Sequence, residues 1–570
     1  MSHIIFGTKT AGRRFPLGRL LICVVLSCGL AIAAGCKDDN DAADASGGVT
    51  AEEAQGEWGE HLLEFAVNNL QRLDEFQTGE MRQQVIDRLN QWIRAKSAPS
   101  DWEVDPLVAG LPKPLRELPA VKNLGKMEFS RYDGLVLQED VWFRDVSNWS
   151  RGDRLDDLQR AKRLFDWTVR NIQLEKSSFA GKAQAPQWPW ETILTGQGTA
   201  EDRAWVFALL ARQQEIDAVL LALPSKDDAL QIWTVGVLER DKLYLFDPKL
   251  GLPIPGLEGV KFNDDGSDNG MELDITPATL AEAAKDDKLL RRLGAEKDKP
   301  YPFKSSNLNK VVALIVASPA SLSARMAMVE NKLAGDQRVV LTADPNGVAE
   351  RLKAVKGLSG ARLWQRPFET MLKRDGLDQQ QQKQIDSALA AFDIGGVRPL
   401  WRGRTLYLKG RFTGEDNATT YLQKARPPNR KLVVLQKELM ESGDWSKEDL
   451  DAKMAAYRRA KQDATYWLGL VAAMVDGDRQ SAIDYFDNRT LKTWPNGPWT
   501  SAAKYNLART YESAGELKQA IGWLKADADS PAAAGNLLRA KWLEDRIAAQ
   551  KAKAEQQRKA SKTTLPVLPQ

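Results

Sequence analysis

Cysteine and histidine are almost absent from this chain of 570 residues: Cys23, Cys28 and Cys36, with His3 and His61, are the whole supply. All but His61 fall within the first 36 residues. No cysteine follows Cys36, so a chain that begins there has no intrachain disulfide and must be held by core packing. No metal site and no cofactor are expected. An excess of one charge is also missing. The 80 Lys and Arg stand against 77 Asp and Glu; taking away residues 1–35 removes Lys9, Arg13, Arg14 and Arg19 and no acid, which leaves 76 against 77. Nothing in that balance points to a nucleic acid as partner.

Long apolar runs are scarce too. Leu20–Ala34 is shorter than the ~20 residues that a membrane span needs. With Arg13, Arg14 and Arg19 before it and the small residues Ala33, Ala34 and Gly35 after it, residues 1–36 read as an export signal. The ending Ala33-Ala34-Gly35-Cys36 resembles a lipobox, which implies lipidation of Cys36 and attachment to a membrane at the cell envelope; plain secretion is the alternative. Arg13-Arg14-Phe15 is a partial twin-arginine pattern. Residues 37–56, acidic and poor in apolar side chains, read as a disordered tether.

What is present is ample apolar and aromatic content, including 18 tryptophans, over a length that suggests several domains. Residues 57–150 read as a helical region, with Leu62, Leu63, Phe65, Ala66 and Leu70, then Val85, Ile86, Leu89, Trp92 and Ile93, at helical spacing. Glu57, His61 and Glu64 fit one helix face and read as a solvated face rather than a metal site. Leu158, Ala161, Leu164, Phe165, Val169 and Ile172 predict a helix over 156–171.

The stretch Trp190–Pro248 is the most informative. It runs through a turn with Gly196 and Gly198, a helix over 199–214, and strands over 216–223, 231–238 and 242–247, ending at Asp247-Pro248. Gly196-Gln197-Gly198-Thr199-Ala200, Gln231-Ile232-Trp233 and Asp247-Pro248 resemble the Gly-x-Gly-x-Cys, His-x-Trp and Asp-Pro stretches of transglutaminase-like proteins, of the papain-type cysteine peptidase and acyltransferase class. The resemblance covers about Leu155–Pro255. It implies an α+β fold in which Ala200 stands at the nucleophile position, Gln231 at the base position and Asp247 at the third.

A methyl group cannot attack a carbonyl, and an amide does not titrate near neutrality. The expectation is therefore a degenerate triad with no catalytic residue, in a cleft where Thr199, Asp202 and Trp233 contact a bound peptide or protein. The rival reading is an amide hydrolase or acyltransferase that uses Thr199 or a carboxylate among Glu201, Asp202 and Asp247. An unrelated α/β domain is the bland alternative.

Residues 151–298 thus form the expected transglutaminase-like domain, in which 262–269 is an acidic loop without the ligand spacing of a calcium site. Residues 299–400 read as a small α/β unit with strands over 310–317 and 338–343 and helices over 321–333 and 348–355. Residues 401–412 carry Arg402, Arg404, Lys409 and Arg411 and read as an exposed basic face. Residues 401–549 hold two similar stretches, 466–486 and 504–524, offset by 38 and resembling tetratricopeptide repeats, with flanking helices over 449–461 and 536–549. A disordered tail is expected over 550–570.

Overall fold

The structure, a computed structural model, describes residues 51–72, 78–94, 96–175, 186–224, 230–262, 273–294, 300–443, 445–475 and 478–563. The export signal with Cys36, most of the tether, the loop that follows Phe262, the repeat position Gly477 and the last residues of the tail lie outside them. The chain divides into two units, Met1–Ala54 and Gln55–Gln570, and the second holds the sheets and every packed core. No helix among the described residues is long and apolar enough to cross a membrane.

The fold is mixed helix and sheet. Helices α1 (Ala51–Gln71) and α2 (Thr78–Ile93) bury Leu63, Val67, Val85, Ile86 and Leu89 in one core. Helix α3 (Arg131–Ser150) shows no clean period because it is covered on nearly every side, Gln138, Glu139 and Asp140 included. Helix α4 (Asp157–Asn171) starts at Asp156, whose side chain accepts the Gln159 N–H. Strand β1 (Gln173–Leu174), helix α5 (Pro189–Thr195), strand β2 (Gln197–Gly198) and helix α6 (Ala200–Arg212) follow, with β1 and β2 paired in parallel.

Strands β3 (Ala218–Pro224), β4 (Leu230–Glu239), β5 (Lys242–Asp247) and β6 (Leu252–Pro253) form an antiparallel series. Strands β7 (Pro255–Phe262) and β8 (Leu273–Pro277) make a separate antiparallel pair. The larger sheet is completed from far along the chain. Strand β9 (Val311–Ile315) lies antiparallel to β3 and β10 (Leu358–Leu363) parallel to β9, giving the order β10-β9-β3-β4-β5-β6. Both faces are covered, which explains the almost unbroken apolar run of β3: Leu220 enters the core that α6 shares with Val235, Val237 and Phe246, while Val219 and Leu221 enter the opposite core.

The boundaries expected at 298 and 400 do not separate cores. Strands β9 and β10 extend the sheet of the preceding region, so 299–400 is not a free-standing unit. The strand expected over 338–343 is coil. Gln213 bonds Val340 through both its N–H (3.1 Å) and its carbonyl (2.8 Å), and Glu330 accepts from the N–H groups of Leu341 and Thr342 at 2.6 Å, so side chains satisfy the backbone that a strand partner would have satisfied.

Beyond β10 the chain is helical: α7 (Arg366–Asp375), α8 (Gln379–Leu389), α9 (Pro399–Leu408), α10 (Lys447–Met474), α11 (Thr500–Ser513), α12 (Leu517–Lys525) and α13 (Ala533–Thr563). Three expectations change here. The flanking segment 449–461 is the first half of α10 itself, and α13 runs without a breaker to Thr563, well into the expected tail. The basic face over 401–412 is not free: Arg404 is wholly buried, Arg402 and Arg411 pair with Asp416, and Lys409 donates to the Gln71 carbonyl. Leu406, Tyr407, Tyr466, Trp467, Trp499 and Leu507 join the same core as Phe165, Phe207 and Phe246, so the repeat-like helices are built onto the sheet region.

Candidate functional site

The turn into α6 shows why its glycines are there. Gly196 ends α5 at φ 69°, and a Cβ there would lie 3.0 Å from the Asn171 carbonyl oxygen. At Gly198 a Cβ would lie 3.0 Å from Asp202 Cβ. Thr199 caps α6: its Oγ1 accepts the Asp202 N–H at 3.2 Å and donates to Asp202 Oδ2 at 2.8 Å, and that carboxylate also accepts the Thr199 N–H at 2.9 Å. Arg366, at the start of α7, pairs with Asp202 and with Glu201.

Two buried arginines hold this turn from behind. Arg203 donates from Nε to the Ile172 carbonyl at 2.8 Å, from Nη1 to Pro248 at 3.1 Å and from Nη2 to Val169 at 3.3 Å, which closes the C-terminus of α4. Burial lowers its pKa to about 10, with Tyr505 and Tyr466 pulling the other way, so it stays charged at neutral pH. Arg404 does the same for α5 through the carbonyls of Ile193 and Leu194. Its Nη1 has no hydrogen-bond partner among the described residues, and the guanidinium instead lies over the rings of Tyr407 (5.0 Å) and Trp467 (4.6 Å).

The three expected triad positions do not converge. Ala200 opens α6 and is half-buried. Asp247 points to the sheet's other side, where Oδ2 accepts from the Tyr301 hydroxyl at 2.7 Å and Oδ1 accepts the N–H groups of Lys249 (2.8 Å) and Leu250 (2.9 Å). Burial holds its pKa above the ordinary carboxylate range in spite of these donors. Trp233 joins the same cluster, its indole N–H donating to Tyr301 at 2.8 Å, and it packs in the core opposite α6. Gln231 is exposed and opposes Leu223, whose side chain belongs to that opposite core, so Gln231 also falls on the far face. The residue that β4 presents toward α6 is Ile232, beside Leu230.

Thr199, Glu201, Asp202 and Ile232 open instead on a cleft of about 1070 Å³, whose other wall is Arg362, Trp364 and Arg366 from the end of β10 and the start of α7. Of the residues expected to line a cleft, Thr199 and Asp202 do so and Trp233 does not. Sequence reasoning missed Arg362, Trp364 and Arg366; the one signal for them was the pair of acids at the start of α6, which a cation from elsewhere neutralises. Among the described residues no group of three His, Cys, Asp or Glu is placed to hold a metal ion, and His61 stands exposed beside Glu64 at 3.7 Å.

Behind α5 lies a second group of carboxylates. Glu139 accepts the Trp190 N–H at 2.9 Å, and burial raises its pKa to about 8. A raised carboxylate contributes stability that is full below its unfolded value, near 4.5, and lost as pH rises through about 8. Glu139→Gln keeps the acceptor and cannot ionise. Its melting temperature is expected to exceed that of the parent at pH 8 and to match it at pH 4.5, which a pH series of thermal melts checks.

Comparison with family models, with curated proteins and with solved structures gives no match to this chain.

Proposed function

We propose that this protein is a non-catalytic relative of transglutaminase-like proteins, held at the cell envelope by lipid on Cys36, that binds a peptide or protein segment in the cleft at the start of α6. The family reading rests on the order of elements: a helix, a Gly-x-Gly turn, a second helix and three antiparallel strands ending in Asp-Pro. The positions of Gln231 and Asp247 count against it, because both lie on the far face of the sheet from α6.

The observation that carries the binding reading is the state of Thr199. Its hydroxyl donates a hydrogen bond to the Asp202 carboxylate and accepts the Asp202 N–H, so it serves as a helix cap, and Asp202 is itself neutralised by Arg366. A nucleophile needs a base with free capacity, and this carboxylate is committed on both oxygens. A large cleft of mixed polarity without such a pair suits recognition.

Thr199→Ala is expected to cost about 1 kcal/mol of stability through loss of the cap and to leave peptide binding in place. Filling the cleft with Ile232→Trp is expected to abolish binding. The check is to incubate the protein with peptides and cell-wall fragments and follow both retention and turnover. Turnover that Thr199→Ala removes would overturn the proposal in favour of an atypical hydrolase or acyltransferase.

A further inference from the structure

The charges of the cleft do not cancel evenly. Arg366 is paired with Glu201 and Asp202, and Lys373 with Glu369. Two charged side chains of the lining remain, Glu175 and Arg362, and neither has a hydrogen bond or an ion pair among the described residues. They are of opposite sign. They also stand on opposite walls. Glu175 follows β1, and its N–H donates to the Gly198 carbonyl at 2.9 Å, which fixes it beside Thr199 at the start of α6. Arg362 sits on the sheet-edge strand β10. It is in register with Leu314 of β9, which is in register with Leu220 of β3, so the three share the sheet face on which α6 packs. Between the two walls the floor is apolar, formed by Leu230, Ile232 and Leu314.

Resting on the binding reading above, we infer that the cleft takes a ligand with both an ammonium and a carboxylate, such as a short peptide with free ends, its amine at Glu175 and its carboxylate at Arg362. Glu175 has only the longer-range attraction of Arg459 to offset its burial, and an incoming ammonium supplies a counter-charge at hydrogen-bond distance. Burial, and the neighbouring Asp202, push the Glu175 pKa upward, with Arg459 pulling the other way. A guanidinium offers a planar fork that matches a carboxylate, and a free terminus presents that group without a side chain in the way. The apolar floor accommodates the body of the ligand with little demand on its sequence, so selection falls on the two ends.

The test is equilibrium dialysis of the full chain against a mixed pool of tripeptides with Ala, Leu, Glu or Lys at each position, in free, N-acetylated and C-amidated forms, the bound fraction being read by mass spectrometry. Free tripeptides are expected to be retained about tenfold better than either blocked form. Glu175→Gln should lose that advantage against N-acetylated peptides while keeping the preference for a free carboxylate; Arg362→Met should do the reverse. Equal retention of free and blocked peptides overturns this inference and leaves the binding reading standing. Exchanged effects of the two substitutions overturn the assigned polarity. Retention of no tripeptide in any form, or retention that Ile232→Trp does not reduce, overturns the binding reading and this inference with it.

Discussion

Replacing Arg203 with methionine is expected to lower the free energy of unfolding by about 3–5 kcal/mol. The side chain is buried and pairs with no carboxylate among the described residues; what it satisfies is backbone, the carbonyls of Val169, Ile172 and Pro248. Methionine fills much of the volume but leaves these acceptors without donors in a place that water does not reach, and each such loss carries a desolvation penalty of about 1–3 kcal/mol. Lysine is the control. It keeps the charge and one donor direction, so Arg203→Lys should lose clearly less than Arg203→Met in urea unfolding. Equal losses would mean that the planar fork is irrelevant and that only volume or charge matters here.

The second large effect is expected at Glu512. This wholly buried carboxylate accepts from Arg539 through both oxygens at 2.7 Å, lies 3.6 Å from Arg509 Nε and accepts the Leu273 N–H at 3.0 Å. Arg509 in turn donates to Asp166 of α4 at 2.5 Å. Glu512→Gln removes the charge that neutralises the buried Arg539, Arg509 keeping Asp166, and a loss of about 3–5 kcal/mol follows from leaving such a group uncompensated. The pH dependence has a definite sign. Burial by itself pushes the Glu512 pKa up, and Arg539 and Arg509 outweigh it, so the folded value lies below the ordinary one. A depressed carboxylate contributes stability above its unfolded pKa, near 4.5, that is lost as pH falls through the folded value. The parent should therefore lose stability in acid more steeply than Glu512→Gln, as unfolding measured from pH 6 to pH 3 will show.

Local chemistry made much of the fold legible. Helix α6, its Gly-rich turn and Thr199 cap, helix α4 and strands β3, β4 and β5 all follow from periodicity and turn residues within about twenty positions of one another. Where long-range satisfaction decided the outcome, the sequence was silent. Nothing near Val340 announces that Gln213 will take the place of a strand partner, and nothing near Arg404 announces that its charge will end beneath two aromatic rings. At the site the same division holds. The glycines and the cap were readable, whereas the faces of β4 and β5 were set by a register shift opposite Leu221 and Ala222 and by Tyr301, more than fifty residues past Asp247. A motif alignment places residues along the chain; it does not say to which side of a pleat they turn.

The way the last helices are built onto the sheet region also sets the order in which this protein can assemble. Arg170 of α4 meets Asn506 of α11, 336 positions later, at 3.1 Å, and Gln173 bonds both the Pro498 carbonyl and the Ala502 N–H. A chain emerging from its N-terminus thus completes every strand of the sheet while the polar partners of Arg170 and Gln173 are still to come. Until residue 507 arrives, the apolar side of α4 is covered by α6 and the sheet through Phe165, Phe207 and Phe246, while the polar groups at its C-terminal end still lack their α11 partners. The C-terminal end of α4 beside the cleft is therefore closed late and from a distance, although its apolar side is covered as soon as α6 and β5 are in place.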